Sequence, residues 1–88
     1  MALMRAKVRV GSVFPYQNPD GEVTQEQVTF FGVSKKGGYP ADGTDENNSF
    51  ARWSPSVNYQ MLIANPALFG KLVPGDEYYV DFTPAEKD

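Results

Sequence analysis

The chain has 88 residues, 14% of them aromatic, contains neither cysteine nor histidine, and carries a net charge of −3. That length allows one domain with a modest core, spanning the whole of 1–88. The missing residue types exclude disulfides, thiolate metal sites and cysteine nucleophiles, and they remove the commonest general base and metal ligand.

The start, Met1 to Lys7, lacks the apolar run of a signal peptide. In Met4-Arg-Ala-Lys-Val-Arg-Val10, Met4, Ala6, Val8 and Val10 share one side and Arg5, Lys7 and Arg9 the other. Such alternation predicts a half-buried strand. Gly11 marks a bulge or twist before Val13 and Phe14. Asn18-Pro-Asp-Gly21 is turn chemistry, and Glu26 to Val33 is rich in β-branched and aromatic residues, so the two segments form a long antiparallel hairpin. The sixteen residues Ser34 to Ser49 have no periodicity and form a long polar loop, of the length that is either functional or mobile.

Strand character resumes in Phe50 to Trp53 and in Val57 to Ile63, with Val57, Tyr59, Met61 and Ile63 on one face. Pro55 requires a kink or an edge. Asn65-Pro66 followed by Gly70 is a helix of one or two turns, Asn capping and Pro at the first position, with Leu68 and Phe69 plugging the end of the sheet. Val73-Pro-Gly-Asp76 suits a type II turn. The last strand, Glu77 to Thr83, turns Tyr78, Val80 and Phe82 inward and Tyr79 and Asp81 outward; Pro84 ends it, and 84–88 is a short solvated tail. The expected fold is all-β and mainly antiparallel. It is a small open barrel or two-layer sandwich of four or five strands, with one short helix before the last strand. The order of elements is similar to the oligonucleotide-binding and Src-homology-type barrels and fits neither fully, because the first of these needs two strands after its helix.

Four groups of residues invite chemistry. The stripe Arg5, Lys7, Arg9 has a repeat of roughly 6.6 to 7 Å, near the phosphate spacing of a nucleic-acid strand, and Phe30 or Phe31 with Tyr79 would stack on bases. The same cations also serve to protect a strand edge from aggregation, and eleven acidic residues oppose a polyanion. Residues 1–38 carry five cations and three anions, whereas 39–88 carry three cations and eight anions, so the first part could touch an anion that the second repels, although ordinary solubilising charge accounts for the same split. The segment from Tyr16 to Gln27 has the Asn-x-Asp-Gly core of a calcium loop. Tyr16 and Gln27, however, occupy the positions of the first carboxylate and the bidentate glutamate. Asp42, Asp45 and Glu46 lack a fixed ligand spacing. No metal or other cofactor is expected.

Asp76, Glu77 and Asp81 gather near one turn without the cleft a catalytic carboxyl pair needs, and no nucleophile elbow or phosphate-binding glycine loop occurs. The chain is expected not to be an enzyme. Arg52 and Trp53, at the base of the acidic loop, are the residue types most enriched at interface hot spots. The tryptophan is expected in the core with Arg52 stacked on it. With Asp42, Asp45, Glu46 and the outward Tyr79, they make up the candidate protein-binding residues.

The stretches Asp45-Glu-Asn-Asn-Ser-Phe-Ala-Arg-Trp-Ser-Pro55, Ile63-Ala-Asn-Pro-Ala-Leu-Phe-Gly-Lys-Leu72 and Pro74-Gly-Asp-Glu-Tyr-Tyr-Val-Asp-Phe-Thr83 resemble those of a group of small bacteriophage proteins. The resemblance runs from Met4 to Pro84 and is most specific in the closing strand. It implies a phage origin, in the host cytoplasm or the virion, and carries no activity and no functional residues. The expected function is therefore binding of a phage or host protein, as a virion accessory or an inhibitor of a host or defence protein. The alternative is single-stranded nucleic-acid binding through Arg5, Lys7, Arg9, Phe30 and Phe31. A membrane partner is not expected, and assembly with further copies of the chain is compatible with the sequence.

Overall fold

In the computed structural model, which describes residues 2–87, the chain forms four strands: β1 (Met4–Gln17), β2 (Val23–Gly32), β3 (Asn58–Ile63) and β4 (Glu77–Phe82). A 3-10 turn at Pro66–Leu68 separates the last two. Met1 and Asp88, the ends of the expected start and tail, lie outside the described residues. All neighbouring strands are antiparallel, in the order β3-β2-β1-β4. The expected all-β antiparallel fold is present as one open sheet with β3 and β4 at its outer edges.

The hairpin closes as its turn residues dictate. Asn18 accepts the N–H groups of Asp20 and Glu22 on its side-chain oxygen, both at 3.0 Å. The Gly21 N–H donates to the Asn18 carbonyl, and the positive φ of 85° at Gly21 then turns the chain so that the Asn18 N–H meets the Glu22 carbonyl. Ten residues earlier, β1 carries a bulge: Val10 pairs with Phe30, but Ser12 pairs with Thr29. One extra residue in a strand inverts the side on which every later side chain falls. Val13 consequently continues the face of Ala6, Val8 and Val10. Phe14 and Tyr16 join the face of Arg5, Lys7 and Arg9.

The apolar face holds the core. Ala6, Val8, Val10, Val28, Phe30 and Ile63 are buried there. Val57 and Phe50 pack over them from one connection, and Phe69 and Leu72 from the other. Asn65 caps the 3-10 turn by accepting from Ala67 N. Glu26, buried on the same face, accepts the Gly70 N–H on both carboxylate oxygens at 3.2 to 3.3 Å and straps that connection to β2.

β1 is shared unequally between its neighbours. Its first half pairs with β4 and its second half with β2, and only Val8 and Arg9 pair on both sides. This stagger draws the molecule out to 56 × 37 × 16 Å. It also leaves β1 beside residues 4–7 without a strand on the β2 side, where unmet backbone groups would be costly. The polar loop fills that gap with side chains. Ser49 Oγ accepts from Arg5 N, and Asn48 Oδ1 accepts from Lys7 N, each at 2.8 Å. Asn48 Nδ2 donates to the Val33 carbonyl at 2.8 Å and to Asp45 Oδ2 at 3.0 Å. Asn48 is completely buried and takes the place of a strand residue.

Several expectations change as a result. The segment 34–49 is not a free arm but a series of turns tied to β1, because a long connection beside an unpaired strand edge is the nearest source of polar partners. Residues 50–53 form turns rather than a strand, since the chain has to leave that edge and cross to the apolar face. Leu68 is 47% exposed and plugs nothing, whereas Phe69 does reach the core, because a single 3-10 turn presents only one side inward. Tyr78 and Phe82 point to the apolar face as expected. They nevertheless stay 39% and 45% exposed, and of the inward residues of β4 only Val80 packs against the buried cluster.

Replacing Asn48 tests this capping role. Asn48→Ala leaves the Lys7 N–H and the Val33 carbonyl buried and unmet, an expected loss of about 2–4 kcal/mol, and thermal unfolding followed by circular dichroism should fall by about 10 °C or more. Asn48→Asp keeps the shape, removes the donor and faces Asp45 with a second carboxylate, so it should be no less damaging.

Candidate functional site

The face opposite the core divides into two fields. Around the first half of β1 every cation meets an anion across the sheet, because the register sets Arg5 opposite Asp81 and Arg9 opposite Glu77. Arg5 makes a two-pronged contact with Asp81 at 2.6 and 3.1 Å. Arg9 Nε reaches Glu77 Oε2 at 2.9 Å, and Lys7 Nζ lies 3.5 Å from the other Glu77 oxygen. The hydrogen bond from Arg5 holds the Asp81 carboxyl below its ordinary range, and that from Arg9 does the same for Glu77, with Lys7 adding to it. Asp81 in turn raises the Arg5 guanidinium above its usual value. Arg5 lies 4.5 Å from the centre of the Tyr79 ring, and the Tyr79 hydroxyl donates to Asn47 at 3.0 Å, joining this field to the loop.

Beyond Arg9 the face is uncharged. The bulge sets Phe14 and Tyr16 beside Gln27, Thr29 and Phe31 of β2, with Leu62 of β3 alongside. Phe14 is 59% exposed, Leu62 54%, and Tyr16 and Phe31 42% each. The Phe14 and Tyr16 rings meet edge to face at 5.1 Å. The Tyr16 hydroxyl donates to Gln27 at 2.6 Å, and the Ser12 and Thr29 hydroxyls bond to each other. A shallow hollow of about 260 Å³ lies over Ser12, Phe14, Tyr16, Gln27 and Thr29. Rigid aromatics among hydroxyl and amide groups, without formal charge, are the composition of protein-binding surfaces.

The remaining candidates are placed as follows. Phe31 and Tyr79 share the outer face with Arg5, Lys7 and Arg9, as expected. Phe30 is turned to the core and only 8% exposed, because adjacent strand residues point oppositely. Asp45 is 4% exposed and binds Asn48 and the Asn47 N–H, so it belongs to the anchor of the loop rather than to a contact surface. Asp42 accepts from both the backbone and the hydroxyl of Thr44, which hold its carboxyl below the ordinary range, with Arg52 adding a smaller effect. Glu46 is likewise lowered, first by its own backbone N–H and then by Lys35, whose Nζ lies 3.1 Å away. Arg52 lines an open cleft of about 400 Å³ with Thr44, Asp45, Glu46, Ser49 and Ala51.

Trp53 is not core. It is 51% exposed and lies over Gly43, with the Tyr39 ring edge-on at 6.0 Å. Its φ of +63° is the only positive value of a non-glycine residue among those described. That conformation costs about 1–3 kcal/mol and is held by the bond from Trp53 N to the Gly43 carbonyl at 2.9 Å. The rings lying under cations are instead Tyr79 beneath Arg5 and Phe31 beneath Arg9.

Phe14, Tyr16 and Leu62 were not among the residues expected to act. Counting alternation afresh from Gly11 would have found the first two. Among the described residues, no group of three or more His, Cys, Asp or Glu side chains is placed to hold a metal ion, and no helix is long and apolar enough to cross a membrane. Comparison with protein-family models, with curated proteins and with solved structures gives no match to this chain.

Two measurements check this geometry. Because folding lowers the Asp81 and Glu77 carboxyls, their contribution is fully present above the unfolded carboxylate range and is lost as pH falls through their folded values. The drop in urea midpoint between pH 7 and pH 3 should therefore be smaller in Asp81→Asn/Glu77→Gln than in the parent chain. At Gly43, φ is +74° and an added Cβ would collide with Cε2 of the Trp53 ring. Gly43→Ala should displace the chain's one tryptophan, shift its fluorescence emission to the red, and cost more than about 1 kcal/mol of stability.

Proposed function

We propose that this is a non-enzymatic phage protein that acts by binding another protein, as a virion accessory or as an inhibitor of a host or defence protein. The uncharged aromatic field of Phe14, Tyr16, Phe31 and Leu62 is the observation that carries this reading. It is flat, backed by a paired sheet, and offers exposed rings whose few rotatable bonds make ordering inexpensive. Trp53, half-exposed in a strained conformation at the base of the loop, adds a second anchor of the type enriched at hot spots.

The alternative, single-stranded nucleic-acid binding, has less support. Arg5 and Arg9 already bond to Asp81 and Glu77, so phosphates would have to displace carboxylates held at hydrogen-bond distance. Beyond Arg9, which lies over Phe31, the aromatic field carries no cation to track a backbone.

Affinity capture from infected cells, combined with mass spectrometry of purified virions, tests the reading. The expected result is one phage or host protein retained by the parent chain and lost with Phe14→Ser/Leu62→Ser, while Lys36→Ala retains it. Absence of the protein from virions together with identical capture by parent and variant would overturn it. Tight retention of a short single-stranded DNA that weakens steeply with salt would transfer support to the nucleic-acid alternative.

A further inference from the structure

We propose that the apolar face of the sheet is covered by a second copy of this chain, so that the protein folds as a two-fold dimer in which two sheets form the two layers of a sandwich. This inference is independent of the partner reading above, which uses the opposite face.

Surface area is the first observation. The chain exposes 6392 Å², whereas a compact monomer of this size exposes about 5,200 Å². Its radius of gyration is 16.0 Å, against about 12 Å for a compact domain of this length. The excess is about 1,200 Å² per chain, or about 2,400 Å² for two, which falls in the range of obligate homodimers. A standard interface needs only about 800 Å² from each side.

Part of that excess lies on the apolar face. Phe50, Val57, Phe69 and Leu72 pack against the buried cluster, while Tyr78 and Phe82 on β4 and Met61 on β3 keep 39–45% of their surface exposed on the core side. Among the described residues the buried set contains six hydrophobic side chains, and the largest fully buried ones among them are valines. A sheet has to bury its apolar side against another layer to be stable. The partner must also be present whenever the chain folds, a condition that a second copy always meets.

Charge selects the same occupant. The chain carries −3 overall, so two copies repel through most of their surface. On the apolar face, however, the only carboxylate or cation among the strand residues is Glu26, which is 7% exposed and bound to Gly70 N. The strand residues of two identical faces therefore meet there without opposing like charges. The outer face, with its ion pairs, and the acidic loop remain in water.

Sedimentation equilibrium and thermal unfolding test the proposal on the intact chain. The expected mass is twice that of the chain, and hundredfold dilution should lower the unfolding midpoint by about 7 °C. Tyr78→Lys/Phe82→Lys alters only side chains already half-exposed in one chain, and should weaken association at least a hundredfold. Phe14→Lys, on the opposite face, should leave it unchanged. The absence of native cysteine permits a readout that does not depend on that variant folding. A thiol introduced by Tyr78→Cys should resist alkylation in concentrated solution and react on dilution, while one introduced by Phe14→Cys reacts equally at both. A monomer mass at all concentrations, a midpoint independent of dilution, or a dimer disrupted by Phe14→Lys and not by the β4 variant would overturn it.

Discussion

At Gly11 the first strand takes one residue more than its partner, and most of what distinguishes this molecule follows from that insertion. Before it, even-numbered residues of β1 face the core and the odd-numbered cations face out. After it the parity reverses, so Val13 stays with Val8 and Val10 while Phe14 and Tyr16 emerge beside Arg9. Without the bulge these two aromatics would fall on the apolar side, and the outer face would have no uncharged aromatic field. Glycine suits the position for a local reason as well: a Cβ there would come within 3.2 to 3.3 Å of the Phe31 ring, one of the members of that field.

The second constraint is the stagger of β2 and β4 along β1. A strand paired on one side over its first half and on the other side over its second exposes backbone groups at both steps. One step is closed by the buried amide of Asn48 and the hydroxyl of Ser49. This converts what reads as a polar loop into part of the sheet edge. It also explains the inward turn of Asp45, whose oxygens orient Asn48 and the turn that follows. Structure and exposure thus divide within a few residues: Asp45 and Asn48 hold the loop down, while Arg52 and Trp53 stand at the surface.

The two faces have different physical characters. On the outer side, exposed ion pairs contribute little stability and weaken with salt, but they neutralise the basic stripe where it stands. That neutralisation moves attention from the cations to the uncharged rings next to them. On the inner side, Tyr78 and Phe82 leave apolar surface exposed along β4 beside the buried cluster.

By itself the sequence determined β1 to β4, the hairpin turn, the cap at Asn65, the type II turn at Pro74 and the direction of Tyr78, Val80 and Phe82, because each rests on local chemistry with a period of two or a residue with one permitted conformation. The strand character at Phe50 to Trp53 was misleading, since that segment forms turns. The presence of a bulge at Gly11 was legible too. Three matters were decided only by tertiary structure. The pairing of Arg5 and Arg9 with Asp81 and Glu77 depends on a register between segments some seventy residues apart in the chain. The burial of Asn48 depends on where β2 leaves β1, which no local pattern encodes. The exposure of Trp53 goes with its ring lying over Gly43 of the loop, whose carbonyl accepts the Trp53 N–H, and not over the core. Periodicity reports which side of a strand faces inward; only the assembled sheet decides what lies across from each side chain and whether anything covers it.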